Sequence, residues 1–152
     1  MTKILITGSS GFLGKHLINS MQNSQKIIGW SNNNQQTKLK NFEHTKIDLT
    51  SKNISIKSKI SSIIHLAAIV PTSDVNKNKK YSHKVNVDGT KNLINAINLH
   101  SKKRVWFFYA STSHVYKFKT EKIKETDKTM PVSYYGETKM MAENYVKKKG
   151  NY

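Results

Sequence analysis

The stretch Lys3-Ile4-Leu5-Ile6-Thr7-Gly8-Ser9-Ser10-Gly11-Phe12-Leu13-Gly14 constrains the fold of this chain more than any other. A short apolar run of the kind a buried strand needs passes straight into glycines three residues apart. Lys15-His16-Leu17-Ile18-Asn19-Ser20-Met21 then follows with helical spacing. Strand, glycine turn and helix start together make a site for a dinucleotide's pyrophosphate, because free amides and the positive end of the helix dipole hold an anion without a charged side chain. Gly8 lets the chain turn off the strand, Gly11 lets backbone approach phosphate, and Gly14 lets the helix pack closely on the sheet. The bland alternative is an ordinary strand-to-helix turn. The strand in front, the helix behind and the position near residue 1 favour the nucleotide reading.

Further along, Lys26-Ile27-Ile28-Gly29-Trp30 reads as a second strand. Its end is where a dinucleotide fold tests the adenosine ribose: an acid selects NAD, and a basic residue accommodates the phosphate of NADP. Ser31-Asn32-Asn33-Asn34 supplies neither, and Lys38 and Lys40 nearby tilt the reading slightly towards NADP. Residues 31–44 read as a polar loop, and Thr45-Lys46-Ile47-Asp48-Leu49 as a third strand ending in an acid. Asp48 could accept from an adenine amino group or serve as a turn residue. Residues 51–61 are weakly amphipathic and stay unassigned. Ser61-Ser62-Ile63-Ile64-His65-Leu66-Ala67-Ala68 is a buried fourth strand with small residues at its end, closed by Pro71. His65, inside the apolar run, reads as a core histidine. Tyr81 to His100 has helical spacing around Gly89, which predicts close packing there. Lys103 to Ala110 is the fifth strand, followed by the hydroxyl cluster Ser111-Thr112-Ser113. Residues 117–130 form a loop, and Ser133 to Lys149 a last helix. The alternation predicts an α/β fold of the Rossmann type: a doubly wound parallel sheet of about five strands with helices on both faces, and ligands at the C-terminal strand ends.

At 152 residues the chain reads as one domain, 1–152. It has no cysteine, so neither a disulfide framework nor a thiolate metal site, and no apolar run long enough to span a bilayer. With no secretory leader, a cytoplasmic location is the default expectation. The net charge of +17 rests almost wholly on lysine, since Arg104 is the only arginine. Nucleic-acid surfaces favour arginine. The scattered lysines therefore read as solvated faces, and a polyanion-binding surface is the lesser alternative.

The order of motifs resembles the extended branch of the short-chain dehydrogenase/reductase family, the NAD-dependent epimerase/dehydratase group that acts on nucleotide sugars. The segments that carry the resemblance are Thr7 to Gly14, Asp48-Leu49, His65-Leu66-Ala67-Ala68, Asn86-Val87-Asp88-Gly89-Thr90, Ser111 to Tyr116, and Tyr135-Gly136-Glu137-Thr138-Lys139. A second Tyr-x-x-x-Lys match, Tyr145 with Lys149, lacks this context and reads as packing. The resemblance implies an NAD- or NADP-dependent nucleotide-sugar epimerase or reductase. Tyr135 would take a proton from a sugar hydroxyl as hydride passes to the nicotinamide, Lys139 would hold the nicotinamide ribose, and Thr112 would orient the reacting oxygen. It places the cofactor on the glycine turn (Gly8, Ser10, Gly11, Phe12, Leu13, Gly14) and on the ends of the second and third strands (Ser31, Asn32, Asp48, Leu49). Leu66, Ala67, Ala68 and Asn86 complete the lining.

Spacing adds a mechanism. Tyr135 and Lys139 are one helical turn apart. A lysine ammonium 4 Å from a phenol, at an effective dielectric of 20, favours phenolate by roughly 4 kcal/mol. That is about three pKa units, enough to bring the phenol near neutrality. Three departures limit the resemblance. Ser113-His114 stand where family dehydratases carry Asp-Glu, which disfavours elimination of water. His114 reads as structural, with an acid's role the alternative. Lys117 replaces the usual glycine after Val-Tyr. Family members also run to about twice this length. That predicts a truncated or split enzyme that keeps the cofactor part, with a homodimer or a partner chain supplying the rest, and with Met140, Met141 and Val146 lacking cover. A catalytically silent cofactor-binding module is the alternative from another class.

Overall fold

The computed structural model describes residues 3–35, 39–70, 78–101 and 103–149. Lys38 and Pro71 lie outside them. Five strands, β1 (Lys3–Thr7), β2 (Ile27–Ser31), β3 (Phe42–Lys46), β4 (Ile60–His65) and β5 (Trp106–Tyr109), form one parallel sheet in the order β3-β2-β1-β4-β5. Successive residues of a strand point to opposite faces, and both faces of β1 are buried. Ile6 packs with Ile18, Leu17 and Met21 of helix α1 (Phe12–Met21). Leu5, on the other face, joins Ile63 and a larger cluster fed by Leu93, Ile94 and Ile97 of α3 (Gly89–His100) and by Tyr145 and Val146 of α4 (Tyr134–Lys149). The expected doubly wound α/β sheet with helices on both faces is the fold observed.

The segment before α3 departs from the single helix expected over 81–100. It begins as α2 (Lys79–His83), capped by Asn78, whose side chain accepts from the Tyr81 amide, and widens into a π-helical turn over Lys84–Asp88. The wider turn lets Asn86 and Thr90 both face inward, where Thr90 Oγ1 donates to the Asn86 carbonyl at 2.8 Å. Gly89 meets the expectation of close packing: a Cβ there would lie 3.2 Å from Leu49 Cβ. The N-terminus of α4 is capped by Ser133, whose Oγ accepts from the Gly136 amide at 3.1 Å.

Two strand positions differ from the sequence reading. β3 runs over Phe42–Lys46, not 45–49, because Phe42 pairs with Ile27 and packs its ring against Gly29, a contact no hydropathy pattern reveals. Ile47-Asp48-Leu49 is thereby released into a turn. β4 ends at His65, so Leu66-Ala67-Ala68 leave the sheet. The uncovered apolar surface lies only in part where it was expected. Val146 packs on the core and Met140 is half-buried, whereas Met141 and, on β5, the stacked pair Trp106 and Phe108 are exposed. Alternation explains the pair: Phe107 and Tyr109 take the covered face and leave Trp106 and Phe108 the open one.

Candidate functional site

A cleft of about 330 Å³ opens at the C-terminal ends of β1, β2 and β4. The glycine turn forms its floor, with Gly8, Ser10 and Gly11 in its lining. Gly8 has φ +72°, and a Cβ on it would sit 2.8 Å from the Ala67 nitrogen, so the turn presses against the wall formed by Leu66, Ala67 and Ala68. Gly11 caps α1 with no side-chain hydrogen bond, and no acid stands in the first turn. The first amides of α1, at Phe12 and Leu13, therefore remain donors for an anion, while their side chains point to solvent. Gly14 does not line the cleft. It is buried against the Gly8 carbonyl and holds α1 to the turn.

The opposite wall comes from the ends of β2 and β3. Ser31, Asn32, Asp48 and Leu49 line it. Ser31 is already engaged: its hydroxyl donates to the Asn33 carbonyl at 2.8 Å and so must accept from His44 Nε2 at 2.9 Å. Asp48 takes the turn role as well as lining the cleft, since its Oδ1 accepts from the Thr50 amide at 2.8 Å. Trp30, Ile47, Tyr81 and Val85 also line the space and were missed in the sequence reading. Trp30 had a signal, its place at the end of a parallel strand. Tyr81 and Val85 had none, because α2 and the π-helical turn after it bring them there.

A buried polar chain holds the wall. His65 is 1% exposed and makes two hydrogen bonds. Thr90 gives its single proton to the Asn86 carbonyl, so His65 Nε2–H must donate to Thr90 Oγ1 at 2.9 Å, and Nδ1 accepts from Thr7. Thr7 Oγ1 in turn accepts the Ala67 amide at 3.3 Å. His65 is thus a satisfied core histidine. Burial, with the charge of Lys139 adding, pushes its imidazole down to about 3. Asn86, expected in the cofactor lining, is 1% exposed and lies behind it. Its Oδ1 accepts from the Ile69 amide at 2.7 Å, and its Nδ2 donates to the Ile69 carbonyl at 3.0 Å and to Thr138 at 3.1 Å. Those bonds tie the cleft wall to α4.

Tyr135 and Lys139 occupy successive turns of α4, but the spacing did not decide where the ammonium goes. Lys139 is 3% exposed, and its Nζ lies 4.1 Å from the centroid of the Tyr109 ring. The acidified phenol expected from the spacing is not what the geometry gives: burial pushes the Tyr135 hydroxyl up. Burial also brings Lys139 down to about 8, against the opposing pull of Glu143. Thr112 caps the 3₁₀ turn Ser113–Val115, accepting from the His114 amide at 3.2 Å. The ring of His114 meets that of Tyr135 edge-on at 5.9 Å, and its Nδ1 lies 3.4 Å from Ser133 Oγ. Glu143 and Tyr109, both facing Lys139, carried no sequence signal.

The sequence model of the NAD dependent epimerase/dehydratase family matches residues 4–151. An uncharacterised UDP-glucose epimerase of Bacillus subtilis is 33% identical over 159 aligned positions, covering 93% of this chain and 49% of that protein. A GDP-6-deoxy-D-talose 4-dehydrogenase of Aggregatibacter actinomycetemcomitans is 30% identical, covering 96% of this chain and 48% of that one. The chain thus spans about half the length of the curated relatives it matches. Among solved structures, MoeE5 in complex with UDP-glucose and NAD is 29% identical with a TM-score of 0.79, covering 93% of this chain and 47% of that one. Among the described residues no helix is long and apolar enough to cross a membrane. With the match running from the first strand through the last helix, the chain belongs to the NAD-dependent epimerase/dehydratase family.

Proposed function

We propose that this chain carries the cofactor-binding part and the acid–base pair of an NAD(P)-dependent nucleotide-sugar epimerase or reductase. The observation that carries the reading is the cleft itself. Its glycine floor admits no Cβ at Gly8, uncapped amides stand at the start of α1, and the wall beside it is hydrogen-bonded through Asn86 to the helix bearing Tyr135 and Lys139. The residues fit a dinucleotide: the amides of the turn and of α1 take its pyrophosphate, Asp48 and Leu49 its adenine, and Lys139 the nicotinamide ribose. The bound cofactor supplies or accepts hydride. Tyr135 handles the proton. Burial holds its phenol protonated, which is the form that donates to a sugar carbonyl oxygen in the reducing direction. Thr112 orients that oxygen. The sugar nucleotide is proposed by analogy with MoeE5, whose structure holds UDP-glucose.

The test is calorimetric titration with NAD⁺ and, separately, NADP⁺. Saturable one-site binding of either is expected, with the tighter one reporting what Ser31 and Asn32 select. Tyr135→Phe should keep that binding and abolish any residual turnover. Absence of binding up to millimolar cofactor overturns the claim that these residues form the site unaided. Robust turnover of a nucleotide sugar by the 152-residue chain overturns the proposal that it carries the cofactor part alone.

A further inference from the structure

An ammonium withdrawn from water needs an anion, a hydrogen-bond acceptor or a π face. Lys139 is nearly fully buried, yet among the described residues no carboxylate or acceptor lies within hydrogen-bond reach of its Nζ, and its close partner is the ring of Tyr109 at 4.1 Å. The other titratable groups around it do not replace that partner. Glu143, one turn along α4, favours the charged lysine from a distance but makes no contact with its Nζ and pairs with Lys147 at 3.6 Å. His65, from β4, is neutral, and Tyr135 is a protonated phenol. The Tyr109 ring is itself fixed: β5 pairs Tyr109 with His65, whose ring packs against it at 5.6 Å. The Tyr109 hydroxyl, by contrast, is buried and makes no hydrogen bond of good geometry.

We propose that Tyr109 is a positioning residue for Lys139: its ring face, not its hydroxyl, fixes the place of the ammonium and keeps it charged. The inference rests on the reading of Lys139 as the group that holds the cofactor, and it adds the element that keeps that group cationic where burial opposes charge. Burial, reinforced by Glu143 and Tyr135 and only partly offset by Thr90, pushes the Tyr109 phenol up, so the ring stays neutral and its π face intact.

The experiment replaces Tyr109 by phenylalanine and then by di- and trifluorophenylalanine, which keep the shape and progressively drain the π face. The titration of Lys139 is followed by NMR of ¹³Cε-labelled lysine, with its resonance assigned by loss in Lys139→Gln. Tyr109→Phe should leave the Lys139 titration unchanged. The fluorinated rings should lower it stepwise, by about one unit in all. A flat fluorine series, or a drop already complete in Tyr109→Phe, overturns the proposal. The pH dependence of NAD⁺ affinity is measured on the same proteins. A sloped series whose NAD⁺ affinity does not follow it upholds the role of Tyr109 and overturns instead the assignment of Lys139 to the cofactor.

Discussion

Acidification should loosen this fold through His65. Burial first, and the charge of Lys139 second, push its imidazole from the ordinary 6.5 down to about 3. Between those values the unfolded chain binds a proton that the folded chain refuses, so stability is lost as pH falls through that window. Two units below the unfolded value, at about pH 4.5, the loss amounts to about 2.7 kcal/mol, and it saturates near the folded value. Carboxylates titrate in the same range, so the perturbation that isolates His65 is His65→Gln, which cannot take up the proton. The assay is urea denaturation of both proteins, followed through the buried Trp30. At neutral pH the variant should be the weaker, since the links to Thr7 and Thr90 are disturbed. At about pH 4.5 the gap should narrow by about 2.7 kcal/mol. A gap of equal size at both pH values, or a His65 imidazole resonance, assigned by its loss in His65→Gln, that titrates near 6.5 in the folded protein, refutes the reasoning.

Gly14→Ala should destabilise the chain by about 3 kcal/mol in the same assay, because its Cβ would fall 2.3 Å from the Gly8 carbonyl oxygen and 2.8 Å from Ser9 Cα, both backbone atoms that cannot swing aside. A variant as stable as wild type would show that α1 is free to lift from the turn. Asn86→Ala removes the two bonds to Ile69 and the one to Thr138, and should cost about 3 kcal/mol with a matching rise in hydrogen exchange at the Ile69 amide. Unchanged exchange there would mean that the cleft wall does not depend on Asn86.

One buried chain of hydrogen bonds joins the core to the cleft wall. Thr7, His65, Thr90, Asn86 and Thr138 link β1, β4, the π-helical turn and α4 by hydrogen bonds, and its branches end on the backbone of Ala67 and Ile69 in the cleft wall. A polar network inside a low-dielectric core is rigid when every member is satisfied. The place of Tyr135 and Lys139 relative to the glycine turn therefore depends on side chains buried behind the cleft wall.

Local chemistry made much of this protein legible in its sequence. Gly8 had to be glycine for a positive φ, the unbroken apolar run of β1 declared a buried strand, and the strand-and-helix order implied a parallel sheet with ligands expected at the C-terminal strand ends. His65 read as core because an apolar run surrounds it. What depends on partners distant in the chain was not legible. β3 was placed by the fit of Phe42 against Gly29, and Asn86 was turned from lining to scaffold by Ile69 and Thr138. The ammonium of Lys139 went to Tyr109, not to Tyr135. Helical spacing puts two side chains on one side, but where a long flexible side chain ends is decided by the surface another strand presents to it.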